Sequence, residues 1–232
     1  NWVLLRDYDC DGRQDIFTYN PFGMMAYHNI STDDVPQWEV AIDPVTTLGT
    51  SSIINIKFNG SDIPVIEDLD GDGDLDILIY GFNGGDIQYH KNFSMERTAS
   101  CDEPDFERMT TSWGNFTDCD CGSFSFDGRD CESSGGRQLH VGGKSMLAYD
   151  MDGDGDMEVV VGDENCSELY LFENKGDAVT ARMNGFVKFP NTSDPTLPTS
   201  FAAAYLEDIN FDGKRDLLVS PNLSANSFFG AS

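Results

Sequence analysis

The sequence predicts an all-β protein, a β-propeller segment of about four blades, and three observations carry that expectation. A nine-residue acidic pattern recurs four times in the 232 residues. Each copy is preceded and followed by a short aliphatic or aromatic run, so it marks the turn of a hairpin rather than the flank of a helix. The copies begin at residues 7, 68, 150 and 208, separated by 61, 82 and 58 residues, a period near 60 with inserts that implies one supersecondary unit per repeat.

The second copy is the fullest: Asp68-Leu69-Asp70-Gly71-Asp72-Gly73-Asp74-Leu75-Asp76, followed by Ile77-Leu78-Ile79-Tyr80. Acids at positions 1, 3, 5 and 9 are too many like charges for so short a segment without a neutralising cation. Side chains at 1, 3 and 5 turn to one side, Gly73 at position 6 supplies a positive φ, the carbonyl of Asp74 faces inward and Asp76 closes the shell. An all-oxygen set of flexible coordination number suits Ca²⁺ better than Mg²⁺. The same reading gives Asp7, Asp9, Asp11, Arg13 and Asp15 in the first copy, and Asp150, Asp152, Asp154, Asp156 and Glu158 in the third. The fourth gives Asp208, Asn210, Asp212, Lys214 and Asp216. Position 7 (Arg13, Asp74, Asp156, Lys214) enters through its carbonyl. About four ions are expected, with affinities that differ because Asn210 removes one charge and Glu158 lengthens one ligand.

An EF-hand also opens D-x-D-x-D-G, but it needs a bidentate acid at position 12 and a helix on either side. Position 12 here is Thr18, Ile79, Val161 and Val219. Strands, not helices, follow each loop.

Upstream strands are expected at 2–5, 63–66, 145–149 and 201–206. After the post-loop strand comes a turn, then a third strand ending in Asn: 24–29, 87–92 and 169–174. A fourth is expected at 37–40 and 185–189. Four antiparallel strands per unit make a propeller blade. The blades run over residues 1–60, 61–92 with a Cys-rich insertion at 93–143, 144–200 and 201–232, the last incomplete. A start inside a strand without Met points to a segment of a longer protein.

These units resemble FG-GAP/VCBS repeats, the calcium-binding blades of integrin-like propellers and of many secreted bacterial proteins. The motif D-x-[DN]-x-D-G-x-x-[DE], the following strand and the terminal Asn carry the resemblance. The phrases 68–78 and 140–156 further resemble secreted and surface proteins of Bacteroidetes, where such propellers accompany type IX secretion. The resemblance implies an extracellular, non-enzymatic protein used in adhesion or in binding a protein or glycan partner beside the remaining domains of its chain. A propeller that accompanies or forms part of an extracellular hydrolase, and a passive structural spacer in a long surface protein, are the alternatives.

The formal net charge is −27, and four divalent ions add eight positive charges to leave about −19. That surplus opposes binding to nucleic acid or to an anionic membrane. No apolar run reaches the roughly 18 residues of a membrane span. Four of the six cysteines, Cys101, Cys119, Cys121 and Cys131, fall in the insertion, where two disulfides would staple a loop too polar to form its own core. A zinc site from Cys119, Cys121, Cys131 and His140 is the competing reading, although its spacing fits no common zinc motif. Cys10 and Cys166 are expected at opposite ends of their blades and so not joined to each other. Even cysteine count and calcium loops both favour an oxidising exterior.

Seven N-x-[ST] sequons occur, at Asn29, Asn59, Asn92, Asn115, Asn165, Asn191 and Asn222, of which Asn29 and Asn92 double as strand-ending Asn. Nearly every close acid pair belongs to an acidic loop, so a structural role outweighs hydrolytic chemistry for them. His28 and His90, near the strand-ending Asn, are read as repeat positions facing solvent or a neighbouring blade. Gly142-Gly143-Lys144-Ser145 lacks the first Gly of a phosphate loop, since position 138 is Gln. Trp2 and Trp38 are read as blade packing, and Trp113 is left open.

Overall fold

Alternation of buried and outward side chains along short β-branched runs decides where strands form. The computed structural model describes residues 2–32, 35–82, 85–129, 131, 143–190, 201–210 and 212–221. They form an all-β chain in two compact units, Asn1–Phe82 with Asp86–Trp113, and Asn83–Gly85 with Gly114–Ser232.

In the first unit, β1 (Val3–Arg6), β2 (Asp15–Asn20), β3 (Gly23–Asn29) and β4 (Trp38–Ile42) pair in sequence order as an antiparallel sheet. Its inner positions Leu4, Phe17, Met24 and Ala26 are buried. Then come β5 (Thr46–Leu48), β6 (Ile53–Asn55), β7 (Val65–Glu67), β8 (Asp76–Tyr80), β9 (Ile87–Asn92), the helix α1 (Ser94–Thr98) and β10 (Phe106–Thr110). Their sheet runs β6-β5-β10-β9-β8-β7. Every pairing is antiparallel except β5 with β10, where Phe106 faces Thr47 in parallel. All five residues of β8 are buried, which explains its unbroken apolar run.

In the second unit, β11 (Phe116–Asp120) and β12 (Ser123–Phe126) form a hairpin. A second antiparallel sheet joins β13 (Lys144–Tyr149), β14 (Glu158–Asp163), β15 (Leu169–Phe172) and β16 (Val187–Phe189). β17 (Ala202–Glu207) and β18 (Asp216–Pro221) make a further pair. Ala202 and Ala204 of β17 pack on Leu147, Val160 and Leu169. The approach is close: a Cβ on Gly162 would lie 2.1 Å from the carbonyl oxygen of Ala202. Phe116 of β11 stacks on Phe172 of β15 with centroids 4.4 Å apart.

The expected strands around each acidic loop are present. Among the described residues no sheet closes on itself, and the fourth repeat contributes two strands. Two differences are informative. The interval 93–143 is not simply an insertion: β10 hydrogen-bonds along β9 and completes the second sheet, Phe106 being buried there. The β5–β6 hairpin, closed at Gly49 by a hydrogen bond to the carbonyl of Ser52, extends that sheet.

The cysteines differ too. The disulfides are Cys10–Cys101, Cys119–Cys131 and Cys121–Cys166. Only Cys119–Cys131 stays within 93–143, because that interval is woven into the sheets and its other cysteines lie beside them. The zinc reading fails with Cys119, Cys121 and Cys131 oxidised, and His140 lies outside the described residues. Trp2 and Trp113 are buried, as packing requires, while Trp38 on β4 is 40% exposed. Asn92 is buried, and Asn191 and Asn222 lie outside the described residues.

Candidate metal centres in the acidic loops

Each acidic loop is wound by its own carboxylates. The acid at position 1 caps the turn: Asp7 accepts from the N–H of Asp11 at 3.1 Å and of Gly12 at 2.9 Å. Asp68 accepts from Gly71 and Gly73, Asp150 from Gly153 and Gly155, and Asp208 from Asp212 and Gly213. The acid at position 5 accepts from the N–H at position 7, in Asp11–Arg13, Asp72–Asp74, Asp154–Asp156 and Asp212–Lys214. Position 6 carries the predicted positive φ, 101° at Gly73. Cys10 holds a φ of 61° at position 4, where the second and third loops have glycine.

The acid at position 9 ties the loop to the third strand. Asp15 accepts from the N–H of Tyr8 at 3.2 Å and of Asn29 at 2.7 Å. Asp76 accepts from Leu69 at 3.3 Å, from Asn92 at 2.7 Å and from the Tyr89 hydroxyl at 3.0 Å. Glu158 accepts from Met151 at 2.8 Å and Asn174 at 3.4 Å. The strand-ending Asn then turns the chain away with its side chain, as Asn92 Oδ1 does by accepting from Ser94 and Asp105.

This winding converges carboxylates. One oxygen each from Asp7, Asp9 and Asp15 lies within 4.8 Å of the others, and so do those of Asp68, Asp70 and Asp76 and those of Asp150, Asp152 and Glu158. These oxygen-only groups could hold a metal ion. Positions 1, 3 and 9 are therefore the ones brought together, from loop start and strand start. Position 5 stands apart: Asp11 groups with Asp9 and His28, and Asp72 with Asp70 and Glu96. Asp154 joins no such group among the described residues. In the fourth loop Asp208, Asp212 and Asp216 keep the turn, but with Asn210 at position 3 no three acids converge among the described residues.

The donor sets fit a cation. Asp70 Oδ1, Asp74 Oδ1 and Asp156 Oδ1 are buried without a hydrogen-bond partner among the described residues. Burial pushes the Asp76 carboxyl up to about 8, with Asp70 and Asp74 adding to it against the hydrogen bonds from Asn92 and Tyr89. Burial, then the charges of Asp154, Glu158 and Asp152, takes Asp156 to about 6. Asp15, Asp70, Asp74 and Glu158 are also raised, burial being the largest cause in each. Such shifts measure the cost of ionising the loops alone, a cost that a bound positive charge removes.

The third loop and everything from it to β18 can be compared with known families. Residues 150–219 match the model of the FG-GAP-like repeat. Comparison with curated proteins gives no match, and comparison with solved structures gives none. The loops 7–15 and 68–76 lie outside the matched residues, yet Asp15 and Asp76 repeat the backbone hydrogen bonds that Glu158 makes within them, and Asp68 repeats those of Asp150. No helix among the described residues is long and apolar enough to cross a membrane.

Several residues of the centres carry no mark in the nine-residue pattern. Lys91 Nζ pairs with Asp70, with Asp72 at 2.9 Å and with Glu96 at 2.7 Å. Asp74 turns its side chain to α1, accepting from Ser94 Oγ at 2.8 Å and the Met95 N–H at 2.9 Å. His28 Nε2 lies 3.2 Å from Asp9 Oδ2. The signal for Lys91 and His28 is positional, each immediately preceding the strand-ending Asn. His90, one residue further back, is instead buried, with Nδ1 3.1 Å from Thr47 Oγ1. Of the two surroundings expected for it, solvent or a neighbouring blade, burial excludes the first, because strand alternation turns the ring inward.

Proposed function

We propose that this chain is a calcium-binding, non-enzymatic repeat segment of an extracellular protein, in which the four-stranded sheets act as propeller blades and display a surface for a protein or glycan partner. The observation that carries the reading is the threefold convergence of carboxylate oxygens from positions 1, 3 and 9. Asp7, Asp9 and Asp15, then Asp68, Asp70 and Asp76, then Asp150, Asp152 and Glu158 would hold the ions, with carbonyls at position 7 completing the shells and Asp208, Asn210 and Asp216 forming a weaker fourth site. Oxygen donors alone favour a hard cation, and the longer reach of Glu158 suits calcium's flexible shell.

Bound only by the folded chain, each ion adds about 2.7 kcal/mol at a hundredfold excess over Kd. Three disulfides and the FG-GAP-like match are compatible with an oxidising exterior. Export by a type IX route, as in the Bacteroidetes proteins the sequence resembles, is part of the proposal. The exposed apolar side chains of β4, Trp38 and Val40, support partner binding there.

Thermal unfolding in EDTA and across a calcium titration tests the calcium reading, with Asp152→Ala beside the natural chain. A midpoint that climbs with calcium, and climbs less in the variant, is the expected result. A midpoint indifferent to calcium overturns it.

A further inference from the structure

The second acidic loop differs from the others in having a largely buried lysine ammonium, supplied by β9, among its carboxylates, whereas the first loop has Arg13, half exposed and 3.7 Å from Asp11. Lys91 is 13% exposed at its side chain, and its ammonium is held by Asp70, Asp72 and Glu96. Asp70 belongs to two carboxylate groups at once, with Asp68 and Asp76 on one side and with Asp72 and Glu96 on the other. Its Oδ2 pairs with Lys91, while its buried Oδ1 has no partner among the described residues. One carboxylate thus stands between a tethered ammonium and an oxygen set that needs a further positive charge. The first unit's other loop has His28 at the position of Lys91, beside Asp9, and the third repeat has Glu173 there, ion-paired with Lys175 at the surface.

We propose that Lys91 is a built-in competitor of the metal ion at the second loop, offsetting part of that loop's charge without calcium and making it the weakest binder of the three acid-gathering loops. The inference rests on the calcium reading above and assigns the grading of affinities to one position, the residue before the strand-ending Asn. A like charge held about 6 Å from a divalent ion at water-like dielectric lowers its affinity about tenfold. Glu96, on the first turn of α1, keeps hold of Lys91 when Asp70 turns to the ion. The order of affinity is then third loop above first, and first above second.

The test uses the whole chain with Lys91→Gln, and with Lys91→Met, which keeps the aliphatic stem. Calorimetric calcium titration and thermal midpoints in EDTA and in saturating calcium are measured for each. One site should tighten about tenfold, and that site should persist when Asp152→Ala removes the third loop. The midpoint should fall in EDTA, because Asp70, Asp72 and Glu96 lose their internal cation, yet the rise produced by calcium should grow. Opposite responses in the two conditions separate competition from ordinary packing. If the chain takes up calcium with the same affinities in all forms and the midpoint falls equally in both conditions, Lys91 is structural and the inference is overturned alone. If the natural chain takes up no calcium, the calcium reading falls and this inference with it.

Discussion

The backbone N–H of Asn92 donates to Oδ1 of Asp76 at 2.7 Å, so the acid that starts β8 also fixes the end of β9. The Tyr89 hydroxyl and the Leu69 N–H donate to the other oxygen. In EDTA at pH 8, Asp76→Ala should lower stability by at least about 2 kcal/mol, since each buried donor left unpaired costs about 1–3 kcal/mol. Asp76→Asn should lose less, because its single amide oxygen still accepts on one side of the corner and a neutral group suits a site that raises the carboxyl to about 8. Urea unfolding of both variants decides the matter; equal losses would show that charge, not hydrogen bonding, fixes this corner.

Burial, with Arg108 adding to it, drives the His90 imidazole down to about 3 from 6.5. The unfolded chain therefore binds a proton between those values that the folded chain refuses. Stability should fall as pH drops through that window, with a limiting slope of about 1.4 kcal/mol per pH unit. In His90→Gln this component is absent, so the gap between natural and variant chains should narrow on acidification from pH 7 to 4. Parallel pH profiles would contradict the buried neutral ring.

Lys144 of β13 pairs with Asp118 of β11 at 2.8 Å and with Asp163 of β14, all three side chains being buried. Burial alone would discourage the ammonium, but the two carboxylates outweigh it and raise its affinity for a proton. Lys144→Met strands both acids and should cost about 3–5 kcal/mol. Adding Asp118→Asn and Asp163→Asn should restore most of that loss, which chemical denaturation of the single and triple variants measures. A single variant as stable as the natural chain would show that the acids find water instead.

The strands flanking each acidic loop were legible because local chemistry specifies them: glycine at position 6, a carboxylate able to cap its own turn, and an aliphatic run immediately after. The strand-ending Asn was legible as a pattern, and its reason emerges from geometry, since its N–H meets position 9 and its side chain turns the next segment. β10 was not legible. Its FERMT sequence offers one buried apolar residue, Phe106, and its place depends on β9 and β5, which are distant along the chain. Disulfide partners failed for the same reason, as Cys121–Cys166 depends on how a hairpin packs on a sheet. The candidate centres were half legible: acids at 1, 3 and 9 converge as read, whereas position 5 faces elsewhere and Lys91 and Glu96 arrive from the next strand and helix.

The Cys10–Cys101 disulfide has a mechanical meaning. It closes a covalent ring around the 91-residue interval that contains most of the first unit. Tension applied at the two ends of the chain travels across that bond, not through β2 to β9. Roughly 300 Å of contour, at about 3.4 Å per residue, stays locked even if the sheets inside the ring melt. Under shear the first unit behaves as a short inextensible link, and reduction of this one bond turns it into a long elastic tether.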